Sequence, residues 1–209
     1  MRFPIRNFKL MLSKHMPRRR RRLQAIEERR NLMHSRRFWL TALAACAPLA
    51  AFAHGPTRQK TVVTIEINAA PEKVWAVIGN FQDMSWHPAV QKTEGKGGNG
   101  EGATRVLTLG PGAVIAEEIN KYDAAKMMYS YKITEVDIKV LPVTNYSSTI
   151  TVTPMDGGKS SVEWKGAFYR GFPNNDPPPE LSDEAAVKAV TGVYQAGLDA
   201  LKKKVETGS

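Results

Sequence analysis

Cysteine is nearly missing from this 209-residue chain: Cys46 is the only one, so no intrachain disulfide can form. Histidine is also scarce, with four residues, of which only His54 and His87 lie beyond residue 53. No His-x-x-x-His pair, cysteine cluster or carboxylate spacing suits a metal, so neither a metal nor a cofactor is expected. The glycine-rich run Gly95 to Gly100 lacks the Lys-Ser/Thr ending and following helix of a nucleotide loop, and reads as a flexible strand connection. The apolar stretch from Phe38 to Ala53 falls short of the ~20 residues a membrane helix needs, and no stop-transfer pattern follows it. No internal repeat divides the chain.

Charge is abundant but unevenly placed. The first 53 residues hold 13 of the 30 Lys and Arg and 2 of the 20 acids, a formal +11. The remaining 156 residues hold 17 basic and 18 acidic side chains, a formal −1. The basic character therefore belongs to a leader. Ser35-Arg36-Arg37, an apolar core from Phe38 and the small-x-small end Ala51-Phe52-Ala53 come in the order of a secretory signal, with cleavage expected between Ala53 and His54. The expected organisation is an extension and cleaved signal over 1–53, then one domain over 54–209 that is periplasmic and has no stable membrane anchor. Arg36-Arg37 leaves the twin-arginine and ordinary secretory routes both open, because Phe38-Trp39-Leu40 departs from the usual Phe-Leu-Lys. Cys46 within Leu43-Ala44-Ala45-Cys46 leaves lipidation as the minor alternative, and Met33 is an alternative start to Met1. The arginine run Arg18 to Arg22 reads as part of the export signal, with no nucleic-acid partner expected.

Beyond the leader, Lys60 to Ala69 alternates as a strand, and Pro71 opens a short helix ended by Gly79. Asn80 to Ala89 is expected to form a second helical turn and a bend. Strand patterns follow at Val90 to Glu94, Ala103 to Leu109, Val114 to Tyr122, Lys126 to Val136, Asn145 to Thr153 and Ser160 to Arg170, joined by turn residues. Pro177-Pro178-Pro179 then breaks the chain before an amphipathic helix over Asp183 to Lys204, with Ser182 as its N-cap. Strands joined by tight turns make an antiparallel meander, and the terminal helix must cover one face. The expected class is α+β: a seven-stranded antiparallel curved sheet, two short helices after strand 1, and a long C-terminal helix over the concave face. Alternation puts Tyr129, Tyr131, Tyr146, Trp164 and Phe168 on that face, aromatic walls suited to a cavity or to packing on the helix. If Gly110-Pro111-Gly112 is a three-residue hairpin loop, Arg105 lies opposite Glu117, whereas a two-residue loop sets Arg105 against Ala116. The first register keeps Leu107, Leu109, Ile115 and Ile119 on one side, so Arg105 and Glu117 form a paired charge at the cavity edge, structural or ligand-anchoring.

This order of elements, with Trp86-His87-Pro88 ahead of the glycine-rich loop, resembles the helix-grip fold of the START-like (SRPBCC) superfamily, the polyketide cyclase/dehydrase and lipid-transport group. Within it the chain resembles the MxaD-type periplasmic proteins of methanol oxidation. His54 to Thr57, Trp86 to Val90, Glu94 to Gly98, Gly102 to Arg105, Tyr122-Asp123, Tyr129 to Tyr131, Phe168 to Gly171 and Asp183 to Lys188 carry the likeness. The resemblance implies an accessory protein that promotes contact between methanol dehydrogenase and its cytochrome c. Two classes follow. One is a non-catalytic module in which the cavity or the rim near Trp86 and His87 meets the partner or a small hydrophobic ligand. The other is a cyclase/dehydrase-like enzyme with His87 as general acid or base near Tyr129 and Arg105.

Overall fold

The structure is a computed structural model that describes residues 55–208. The expected signal, its cleavage point at Ala53 and His54, and Cys46 lie outside the described residues. Strands β1 (Gln59–Ile67), β2 (Lys92–Lys96), β3 (Thr104–Gly110), β4 (Ala113–Asp123), β5 (Met128–Val136), β6 (Val143–Met155) and β7 (Lys159–Arg170) form one antiparallel sheet in the order β1-β7-β6-β5-β4-β3-β2. The six later strands are the meander expected from their tight turns. β1 completes the sheet by pairing with β7, Val63 opposite Trp164 and Ile65 opposite Val162. The first two strands therefore sit at opposite edges, and the chain between them must cross the concave face.

That crossing begins with α1 (Pro71–Ile78), whose Val74 and Ile78 are buried, and continues through residues 79–91. Here the expected second helical turn is a series of single turns, Asp83 N–H to Asn80 O, His87 N–H to Met84 O and Val90 N–H to His87 O. The first of the meander strands starts two residues later than its apolar pattern suggests, because Val90 still belongs to the last of these turns.

The C-terminal helix α2 (Asp183–Thr207) lies over β1 and β7. Ser182 caps it, its Oγ accepting from Ala185 N–H, and Asp183 and Glu184 occupy the electropositive first turn. The helix runs past Lys204, where the charge pattern suggested an end, because Val205 is still buried and Gly208 supplies the left-handed residue that closes it. Its buried stripe is Ala186, Val190, Tyr194, Gly197, Leu198, Leu201 and Val205.

The β3–β4 hairpin shows how a register can be right while its turn differs. Arg105 stands opposite Glu117 and Leu107 opposite Ile115, but the loop is the two residues Pro111 and Gly112, with Gly110 paired to Ala113. A bulge between Thr108 and Gly110 absorbs the extra residue. The apolar set therefore stays on the concave face.

Gly197 is where α2 comes closest to the sheet. A Cβ there would stand 2.5 Å from His87 Cδ2 and 2.9 Å from Trp164 Cζ3, both held in a close-packed core. Gly197→Ala is expected to cost about 2 kcal/mol through overpacking. A thermal melt checks this, with a drop of roughly 4–8 °C expected.

Candidate functional site

Under residues 84–90 and beside α2 lies a cavity of about 60 Å³. Met84, Val90, Leu107, Leu109, Ile115, Ile133, Leu141 and Val193 give it an apolar wall, which His87, Glu117, Tyr131, Tyr146 and Trp164 complete. Of the residues singled out from the sequence, these last five line it. Arg105, Tyr129, Trp86 and Phe168 do not. Phe168 stacks behind Tyr146, and Tyr129 lies among Trp75, Phe81 and Tyr122. Trp86 is 4% exposed and packs on Trp164, so it presents no rim surface.

Arg105 backs the wall. Its Nε donates to Glu117 Oε2 at 2.6 Å and its Nη1 to the Phe81 carbonyl at 3.0 Å, while its guanidinium lies 4.1 Å over the Phe81 ring. Burial pushes the Glu117 carboxyl up, and the Arg105 charge opposes that shift without cancelling it. Burial works against the charge on Arg105 too, but Glu117 and the Tyr129 and Tyr131 rings hold the guanidinium charged. Arg105 Nη2 and Tyr129 Oη are buried without a hydrogen-bond partner.

His87 is committed at both nitrogens. Nδ1 accepts from Ala89 N–H at 3.2 Å, which requires the tautomer that donates from Nε2 to Val193 O at 3.0 Å. Burial, reinforced by the Arg105 charge, lowers its pKa despite the Val193 bond. It is the side chain that fastens the crossing segment to α2.

The remaining polar atoms form a single chain whose direction can be deduced. Ser148 Oγ–H donates to Lys165 O at 2.8 Å, so it must accept from Trp164 Nε1 at 2.9 Å and from Tyr194 at 2.9 Å. Tyr194 then accepts from Tyr146 at 2.6 Å, and Tyr146 from Tyr131 at 3.5 Å. Burial pushes all three phenols up, so none ionises in the physiological range. Tyr194 and Ser148 were not singled out as site residues. Tyr194 lies on the apolar stripe of α2, and only Gly166, where any Cβ would overlap its hydroxyl, marks the place it enters. Among the described residues no His, Cys, Asp or Glu cluster could hold a metal, and no helix is long and apolar enough to cross a membrane.

The model of a family described as polyketide cyclase/dehydrase and lipid transport matches residues 58–206. A solved structure of an uncharacterised protein from Bacillus thuringiensis is 32% identical, the match covering 70% of this chain and 98% of that one at a TM-score of 0.59. The protein XoxI from Bacillus cereus is also 32% identical, over 70% of this chain and 94% of that one, at 0.59. Norcoclaurine synthase from Thalictrum flavum, solved with dopamine and hydroxybenzaldehyde, shares the fold at 20% identity and a TM-score of 0.56, over 74% and 90% of the two chains. No curated protein sequence matches.

Two outcomes follow from the buried charges. Removing Arg105 leaves Glu117 uncompensated, so Arg105→Ala is expected to cost about 3–5 kcal/mol in denaturant unfolding. For His87 the folded pKa lies below the unfolded one. Its contribution to stability is complete above about pH 6.5 and is lost as the pH falls from there through the folded pKa. His87→Gln should flatten that part of the stability profile, read by denaturant midpoints between about pH 7 and pH 5.

Proposed function

This chain belongs to the polyketide cyclase/dehydrase and lipid-transport family, and on that premise we propose that it is an exported, non-catalytic accessory module of the MxaD type. In this reading it works in the periplasm and promotes the contact between methanol dehydrogenase and its cytochrome c. The observation that carries the non-catalytic part is the small size of the interior cavity. A cavity of about 60 Å³ is less than half the size of the roughly 150 Å³ apolar cavity that accommodates benzene, and it offers the volume of about two waters. Even at the ceiling of about 1.5 kcal/mol per heavy atom, an occupant of about three atoms binds no more tightly than roughly millimolar. The hydroxyl protons around it are spent on one another, and His87 has no free nitrogen. The charged, then apolar, then small-residue leader supports export.

Glu117 favours a second reading. Its carboxyl stands in an apolar wall with burial raising its pKa, which suits a general acid in a cyclase/dehydrase-like enzyme or an anchor in a small hydrophobic-ligand carrier.

Electron transfer from purified methanol dehydrogenase to its cytochrome, followed with and without this protein, separates the readings. A saturable rise in rate is expected. No effect from the folded protein contradicts the accessory role and leaves the Glu117 cavity, to be tested with Glu117→Gln against aromatic and polyketide-like substrates.

A further inference from the structure

α2 covers the concave face of the sheet, and among the described residues no element covers the outer one. On that outer face runs an open trough of about 430 Å³. Its floor is small: Ser130, Ser147, Thr149, Gly166 and Ala167. Bulges border it on both sides, one leaving Asn120 unpaired in β4 and one between Thr144 and Ser147 in β6, where Asn145 takes a positive φ of 48°. Its rim is long and cationic. Lys60 faces Ala167 across β1–β7 and Lys165 faces Val62, so the two lysines are diagonal to each other and Val62 adjoins both. Arg58 reaches over β7 to bring Nη2 within 3.5 Å of Ser147 Oγ.

We propose that this trough, rimmed by Arg58, Lys60 and Lys165 around Val62, docks a protein partner that presents an apolar side chain ringed by carboxylates. The proposal rests on the docking reading above and names its surface. Val62 is 58% exposed, the most exposed large apolar residue of the described domain, and it lies between cations. An apolar centre inside a charged rim is the usual arrangement of a contact surface. At the rim Glu163 pairs with Lys165 at 2.9 Å; both side chains are exposed, so the pair is weak and a partner's acid can replace it. Among the described residues Arg58 and Lys60 have no ionic partner. The patch is local, because the residues beyond 53 are formally −1 overall. The chain's own leader, formally +11, has the same sign as the rim and does not complement it. A free anion is poorly served, since the trough has no buried cation and its walls are hydroxyls and amides spread along strands. The rim near Trp86 is no rival, because that indole is buried.

The test titrates the isotopically labelled protein, as its own cells deliver it, with a synthetic peptide of alternating Glu and Ser around one Val, and with its Gln counterpart. Saturable amide shifts confined to Lys60–Thr64, Ser130, Ser147–Thr149 and Lys165–Ala167 are expected. They should weaken as salt rises and be absent with the Gln peptide. The doubly reversed variant Lys60→Glu/Lys165→Glu, folded by the same spectra because both residues are exposed, should bind about tenfold more weakly. Shifts centred on Lys202–Lys204 or on the leader, no saturation, or equal binding by the double variant would overturn the proposal. So would inorganic polyphosphate occupying the same residues more tightly than the peptide, which identifies an anion site. In the electron-transfer assay, a rate rise that survives in the double variant overturns the docking surface but not the accessory role. Peptide binding at the trough without any rate rise from the natural protein supports the surface and removes the role.

Discussion

The structure turns on the buried pair of Arg105 and Glu117. At 2.6 Å, with an effective dielectric near 20, their attraction is worth on the order of 6 kcal/mol, and several kcal/mol per ion is lost in desolvation. The pair is therefore close to neutral for stability, and its importance is positional. Arg105 holds the Phe81 carbonyl and lies against the Phe81 and Tyr131 rings. It thus ties β3 and β4 to the segment that crosses the concave face. The same segment is held by Asn99 at Phe81 N–H, by Thr93 at Met84 N–H and by His87 at Val193 O.

With the crossing segment fixed against α2, the space inside the helix grip is occupied by side chains. Trp164 and Tyr194 stack with ring centroids 4.4 Å apart, and the Tyr131-Tyr146-Tyr194-Ser148 chain ends on a backbone carbonyl. A half-satisfied network of this kind would be costly, and a fully satisfied one fixes a single arrangement. The interior is thus built for order, and Glu117 is the one ionisable group left on the cavity wall besides the committed His87 and phenols. The cavity left between sheet and helix is about 60 Å³. An open concavity of about 430 Å³ lies on the opposite face of the sheet.

Much of this could be read from the chain. Period-2 alternation located the strands because one face of each is buried, and Ser182, Pro71 and Gly79 marked helix ends by chemistry that does not depend on tertiary context. The Arg105–Glu117 register followed from keeping the apolar residues on one face, although a bulge rather than a longer loop achieves it. What stayed hidden was long-range. Nothing local says that β1 pairs with β7, or that Tyr194 reaches through the gap at Gly166 to Ser148. Trp86 reads as a rim aromatic because turn segments are commonly exposed, yet here the turn crosses the core. The outer trough depends on two bulges and an arginine that spans a strand, and neither leaves a periodic signature.

The proposal that the interior holds no organic ligand and that the outer surface makes the functional contact is tested most directly by native mass spectrometry of the protein isolated from the cells that make it. The account predicts the mass of the polypeptide with nothing organic bound. A small molecule present in stoichiometric amount, and released only on unfolding, would contradict it and return the function to the cavity beside Glu117.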